Sequence, residues 1–577
     1  MGHADCRQRH AFEAMMHLEK SPERTMHSVL YAGLTVLALI LTACQPQEKA
    51  ETIYLNASIW TGVAEASRAE ALAIANGEIL AAGDASAVAE YKGENTRVVD
   101  LGGKFVVPGF MDIHTHFMSG GFQLASVDLR NADSPVEFAR RIAEFAGSLP
   151  QERWITGGDW DHEMWGGELP RRQWIDATTA DRPVFVNRLD GHMALANSKT
   201  LQLAGIDHHT PDPAGGTIVR DAKTGAPTGI LKDEAMALVY RIMPEPGTAA
   251  RDEAFARACD FAVARGVTQV HDMGSWQDLQ TYRRAQQLAP LKLRIYGLVP
   301  LSTWQELATY VARNGRGDDW LRWGGLKGFV DGSLGSTTAW FYRPYDDAPN
   351  TSGLMTTDTT ALRNWVVSAD SAGMHVVVHA IGDRANDWLL QVYAEAGRKN
   401  GQRDRRFRIE HAQHLSAAAI PRFAELGVIP SMQPYHTIDD GRWAVKRIGL
   451  KRINTTYAFR SLLDAKARLG FGSDWTVAPI DPLQGIYAAV TRRTTDGANP
   501  NGWVPAEKIS VAEALRAYTA GAAYAGFQEN RLGTLEHGKL ADFVVLSEDL
   551  FAIDPARIPE VRVLRTVVGG RESFVSN

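Results

Sequence analysis

The chain has 577 residues, which suits a large barrel with additions better than one ordinary domain. Hydrophobic residues make up 45% and charged residues 22%, the proportions of a soluble globular protein. A formal net charge of −6 without a long basic run argues against a nucleic-acid partner.

Taken in chain order, the first element is an export segment. After Lys20 and Arg24 comes the apolar stretch SVLYAGLTVLALILTAC, too short to span a bilayer comfortably and ending in small residues. Its last four residues, Leu41 to Cys44, resemble a bacterial lipobox, in which the cysteine is acylated and becomes the mature amino terminus. The alternatives are an ordinary signal peptide or a buried helix. Residues 1–25 are unusual for a signal peptide, so a translation start at Met16 or Met26 stays open. The expectation is a signal segment over 1–44, a polar tether over 45–51, and a periplasmic protein that meets the membrane only through a lipid anchor at Cys44. Of the three cysteines, Cys6 and Cys44 fall in that segment. Cys259 alone remains in the body, so no intramolecular disulfide is expected there. It lies in the helical pattern ARACDFAVARG and reads as a small buried hydrophobe.

From Thr52 to Pro108 come short strand-like runs, TIYLNASIW, ALAIANGEIL and TRVVDLGGKFVVP, separated by turn residues. LADFVVLSED and VRVLRTVVGGR near the carboxyl end have the same character. Residues 52–108 and 530–577 are therefore expected to combine into one small β domain. Between them, 109–529 alternates strand-length apolar runs with amphipathic or Ala-rich segments. The eight runs are GFMDIHTH, GVTQVHDM, LRIYGLVP, GLKGFVDG, HVVVHAIGD, FRIEHAQH, GVIPSMQP and LGFGSDW. This is an α/β pattern of (β/α)8, TIM-like barrel type. An insertion of roughly 117–245 follows the first strand, far longer than a βα connection needs. It carries RWITGGDWDHEMWGG and VFVNRLDGHMALANS.

Chemistry-bearing side chains fall at the carboxyl ends of these runs, where barrel enzymes keep their active sites. The first run ends in His114 and His116, which point the same way because side chains alternate along a strand. The fourth contains Lys327, the fifth ends at His379, the sixth contains His411, and the eighth ends at Asp474. Singly, each has an ordinary explanation: Lys327 could snorkel or pair with Asp331, His379 could be a core histidine, and Asp474 could cap the following turn. Together, four histidines, a lysine and an aspartate around one barrel axis point to a metal centre. In the insertion, His192, Trp160 and Trp165 are candidate substrate contacts. His271 ends the second run but matches no ligand position. His414 and His436 lie just beyond strands, as cavity residues or exposed ones.

The stretches PGFMDIHTHF, GLKGFVDGSLGSTTAW, HAIGDRAND and GSDW resemble the amidohydrolase superfamily, in particular the YtcJ-type amidohydrolases of family 3, across nearly the whole chain after residue 52. The resemblance implies that His114, His116 and Asp474 hold one divalent ion and His379 and His411 a second, with carboxylated Lys327 as bridge. Imidazole and carboxylate suit Zn, Mn or Fe, and the sequence does not choose among them, or between one ion and two. Carboxylation would turn a cationic lysine into an anionic ligand, and a metal-bound hydroxide near neutral pH would be the nucleophile. Asp474 would act as general acid/base. The expected activity is hydrolysis of a C–N bond in an amide or N-acyl compound. Deamination of a cyclic amine is the alternative on the same scaffold, and a non-catalytic ligand-binding lipoprotein the alternative of another class. The partner is a small-molecule substrate, and a homo-oligomer is left open.

Overall fold

The structure is a computed structural model that describes residues 48–149 and 153–576. The signal segment, Cys6, Cys44 and residues 45–47 lie outside the described residues. The remainder of the expected tether is not a tether. Ala50 is buried and donates its N–H to Tyr91 O at 2.8 Å, and Glu51 donates to Ile74 O at 2.8 Å, so Ala50 and Glu51 already belong to the folded body.

The eight apolar runs form eight parallel strands: β1 (Phe110–Thr115), β2 (Val267–Asp272), β3 (Arg294–Pro300), β4 (Leu321–Phe329), β5 (His375–Ala380), β6 (Arg408–His411), β7 (Ile429–Met432) and β8 (Gly470–Phe471). They lie side by side in sequence order, as a barrel requires. The seam between β8 and β1 is joined just past β8, where Asp474 donates its N–H to His114 O at 2.7 Å and His116 donates to Trp475 O at 2.6 Å. Gly472 makes that approach possible, because a Cβ there would sit 2.5 Å from the His114 nitrogen.

Helices cover the outside of the barrel. Asp383–Asn400, after β5, buries Ala385, Leu389, Leu390, Tyr393 and Ala396, a stripe at three- and four-residue spacing that faces the strands. Thr248–Val263, before β2, buries Ala254, Phe255, Ala258, Cys259 and Ala262 in the same way. Burial pushes the Cys259 thiol pKa far up, so it is packing rather than chemistry.

A second sheet draws on both ends of the described chain. Phe543–Leu546 pairs antiparallel with Arg97–Pro108, which runs parallel to Thr52–Trp60. The buried Arg294–Asp542 ion pair, 2.7 Å, ties this sheet to the start of β3. The insertion after β1 has a sheet of its own, in the order Val127–Asp128, Gly157–Trp160, Phe185–Arg188, Met193–Ala196, Pro227–Asp233, Gly216–Arg220. Alternation along Phe185–Arg188 puts Phe185 and Val186 into separate apolar clusters on the two faces of that sheet. Ion pairs from Asp161 to Arg442 and from Glu163 to Arg447, both 2.9 Å, hold the insertion over the segment that follows β7. Among the described residues, no helix is long and apolar enough to cross a membrane.

Candidate metal centre and cavity

The barrel brings the strand-end residues together. Among the described residues, His114, His411 and Asp474 form one buried group whose potential ligand atoms all lie within 4.8 Å of one another. His114 Nε2 and His116 Nε2 stand 3.4 and 3.3 Å from Asp474 Oδ1. Lys327 Nζ is 3.2 Å from His114 Nε2. The His379 ring lies 4.4 Å from that of His411, centroid to centroid. The two ligand sets implied by the resemblance are not separated here, since His411 groups with His114 and Asp474. Lys327 does not pair with Asp331, whose carboxylate accepts backbone N–H groups from Trp340, Ile381 and Gly382 at 2.7, 3.0 and 2.8 Å.

Each imidazole is oriented by what its other nitrogen touches. His114 Nδ1 meets Glu410 Oε2, so its proton lies there and Nε2 presents a lone pair to the centre. His379 Nε2 faces Gly332 O at 3.1 Å, and since a carbonyl only accepts, the free lone pair is on Nδ1. Burial, followed by the neighbouring cations and imidazoles, holds the pKa values of His114, His379 and His411 well below the ordinary histidine value, so all three are neutral and able to ligate. Burial likewise lowers Lys327 to about 8, against the opposing pull of Glu410 and Asp474.

The donor set fits a divalent metal. His411 Nδ1, His436 Nε2 and Asp474 Oδ1 are buried with no hydrogen-bond partner, although buried polar atoms are nearly always satisfied. His411 and Asp474 also adopt φ of 70° and 62°, a left-handed conformation that costs energy in residues other than glycine and concentrates at functional sites. Asp474 does not cap the turn that follows it. The Trp475 N–H goes to Ser473 Oγ at 3.0 Å, leaving the Asp474 carboxylate to the centre.

A second layer, which the sequence did not single out, fixes the first. Glu410 accepts from Arg408 Nε at 2.8 Å and from Ser431 Oγ at 2.8 Å while holding His114. Arg408 also donates to His271 Nδ1 at 2.9 Å, so His271 supports this layer from within the barrel and does not ligate. The only local signal was that the short strand RIEH is fully buried in position yet carries three polar residues out of four.

Above the centre lies a cavity of about 320 Å³ whose wall includes His192, Tyr240, Phe329, Leu334, His436 and Trp443. His192 arrives from the insertion, its Nδ1 2.6 Å from Asp233 Oδ1 and its ring 5.4 Å from that of His379. Burial opposes a charge on His192, but the Asp233 hydrogen bond and carboxylate outweigh it and lift the pKa to about 9. His436, whose role the sequence left open, is a wall residue with its ring parallel to that of His411 at 6.2 Å. His414 is buried away from the cavity, with Nδ1 2.9 Å from Thr456 Oγ1.

The two tryptophans proposed as substrate contacts are corrected. Trp160 is fully buried and donates its indole N–H to Val186 O at 2.8 Å, packing edge-on against Phe138. Trp165 packs against Phe138 and Trp174 and donates to Glu168 O. Both belong to the insertion's own core, and neither lines the cavity. A small inserted sheet must bury large side chains to hold together, and these do so.

Residues 97–574 match the amidohydrolase family. Over 541 residues the chain is 42% identical to Protein LONG AFTER FAR-RED 3 of Arabidopsis thaliana, covering 91% of this chain and 92% of that one. It is 29% identical over 545 residues to the N-substituted formamide deformylase of Arthrobacter pascens, covering 90% and 97% of the two chains. The crystal structure of an uncharacterized metal-dependent hydrolase from Pyrococcus horikoshii OT3 is similar at a TM-score of 0.72 and 30% identity, covering 88% of this chain and 99% of that one.

Proposed function

Given that the chain belongs to the amidohydrolase family, we propose that this hydrolase cleaves the C–N bond of an uncharged amide or N-acyl amine. The observation that carries it is the convergence of unpartnered, buried His411 Nδ1 and Asp474 Oδ1 beside neutral His114 at the floor of the cavity. The name of the Arthrobacter relative describes C–N cleavage in a substrate of this kind. His114, His116, His379, His411 and Asp474 would hold one or two divalent ions, with Lys327, carboxylated, as bridge. Bound there, a divalent ion supplies Lewis acidity toward water and a carbonyl.

The chain's own residues do the rest. Glu410 keeps the His114 proton on Nδ1 and the lone pair of Nε2 toward the centre. Asp474, with Oδ1 facing the metal position, would take a proton from the attacking water on its other oxygen and hand it to the departing nitrogen.

Charges around the cavity support an uncharged substrate. Arg188 is bound to Asp161 at 2.9 Å and to Asp190 at 2.8 Å, and Asp439 to Arg442 at 2.7 Å. Asp440 accepts from Gln413 and Tyr457, and His192 is held by Asp233. Outside the metal centre, every described wall cation is already paired and none is left to neutralise a carboxylate, while Asp440, held by neutral donors alone, is pushed by burial up to about 7. N-benzylformamide should therefore be hydrolysed with a kcat/KM about 100-fold above that of its carboxylated analogue N-formylphenylglycine, from the several kcal/mol lost when a charge is buried unpaired. Formate and amine release checks this. Preference for the carboxylate would refute the uncharged-substrate part, and ammonia from an aminoheterocycle with no amide cleavage would refute the whole.

Lys327 has its own test. Lys327→Ala should lower metal content measured on the purified protein, and a short-chain carboxylic acid should restore part of it by taking the place of the bridge. Full metal occupancy in Lys327→Ala would show that this lysine does not bridge.

Export is part of the proposal and rests on the sequence alone. The LTAC stretch supports acylation at Cys44. In a bacterial host the protein should fractionate with membranes, and Cys44→Ser should release it or leave it unprocessed. A distribution indifferent to that change would end the lipid-anchor proposal.

A further inference from the structure

The opposite mouth of the barrel, at the amino-terminal ends of β3 to β6, holds a second cavity of about 270 Å³. Four arginines line it: Arg316, Arg322, Arg403 and Arg405. Arg403 and Arg405 share the single buried carboxylate of Asp370, which offsets one of their two charges and holds both side chains. Asp404, also on the rim, is bound to Arg406 at 2.8 Å.

Arg316 and Arg322 differ. Arg316 donates Nη2 to Gly373 O at 2.8 Å, and Arg322 donates Nη1 to Gly526 O at 2.6 Å. Backbone carbonyls fix both guanidinium groups without cancelling their charge, and no carboxylate among the described residues pairs with either. The backbone is shaped to admit Arg316. At Gly324, φ is +120° and a Cβ would lie 2.2 Å from Arg316 Nη1, so a side chain there would displace the guanidinium. Each group keeps further N–H donors for a ligand, in the fork that suits a carboxylate or phosphate.

Most of the rest of the wall is aromatic, from Tyr296, Trp323, His375 and Phe527. His375 spends both ring nitrogens inside the protein, one 2.9 Å from Arg406 O and the other 3.1 Å from Tyr296 Oη, so it offers a ring and no charge. It stacks on Tyr296 at 6.0 Å and meets Phe527 edge-on at 5.1 Å. Phe527 is 37% exposed and has φ of +58°, a conformation rare for an aromatic residue.

We propose that this cavity binds a small-molecule oxyanion, a carboxylate or phosphate ester on a flat apolar body, held by Arg316 and Arg322 and seated against Phe527. The site is separate from the metal centre, which lies at the other end of the same strands.

Calorimetric titration of the metal-loaded protein with orthophosphate, phenyl phosphate and benzoate tests this and shows which oxyanion is preferred. Oxyanions can also reach the metal centre, so binding must be assigned by variants. Arg316→Gln with Arg322→Gln should weaken the assigned binding at least about tenfold while leaving turnover and melting temperature near those of the parent. Asp474→Asn should leave this binding in place. Phe527→Ala should weaken phenyl phosphate and benzoate but not orthophosphate. Unchanged affinity for all three probes in the double arginine variant would overturn the proposal, as would binding that vanishes whenever substrate fills the catalytic cavity. Unchanged phenyl phosphate and benzoate affinity in Phe527→Ala would overturn the aromatic seat.

Discussion

Asp474→Asn should retain most of its metal and lose turnover by about 10²- to 10⁴-fold, the usual cost of removing a general acid–base. Asparagine is the right probe for two reasons. Asp474 has φ of 62°, a conformation that Asn tolerates nearly as well as Asp, so the backbone past β8 keeps its path and the 2.7 Å bond from the Asp474 N–H to His114 O survives. The amide also keeps one oxygen for a metal but cannot accept a proton. Were Asp474 only a turn cap, the change would cost about 1 kcal/mol of stability and leave catalysis near normal. The cap position is already taken by Ser473, so the stability loss should be small and the kcat loss large. Measuring kcat, metal content and melting temperature on one preparation decides the matter. A kcat near that of the parent would leave the proton transfer to another base.

Glu410→Gln should be costly in a different way. Glu410 and Arg408 are fully buried, and removing the carboxylate leaves the Arg408 guanidinium without its counter-charge. Breaking one half of such a pair typically costs about 3–5 kcal/mol. The same change weakens the bond that orients His114, so metal affinity should fall by about 10- to 100-fold. The two effects separate in Glu410→Gln with Arg408→Met. Removing the orphaned cation should recover much of the stability, while His114 remains poorly held and metal affinity stays low. Melting temperature and metal competition with a chelator read the two quantities independently. A parent-like melting temperature and metal affinity in Glu410→Gln would show that the pair carries neither role.

What the sequence alone determined is local and periodic. The eight strands, their order and the insertion after the first were legible because each is a short apolar run with polar punctuation, and because parallel barrel strands follow one another along the chain. The positions of His114, Lys327, His379, His411 and Asp474 were legible for the same reason: a polar residue at the end of an apolar strand needs only that strand to be seen. Which of them meet was left to the tertiary structure. His114 and Glu410 are 296 residues apart, and only closure of the barrel puts a carboxylate on the far nitrogen of that imidazole. Glu410 stands one residue before His411 in RIEH, and nothing local says that it orients a ligand rather than facing outward. Trp160 shows the limit from the other side. Tryptophan suits a cavity wall and a hydrophobic core equally well, and the choice was made by the sheet that forms around it, through Phe138 and the carbonyl of Val186. Strand and helix patterns are set by neighbours a few residues away, whereas the layer behind the metal ligands is set by contacts that exist only once the ring has closed.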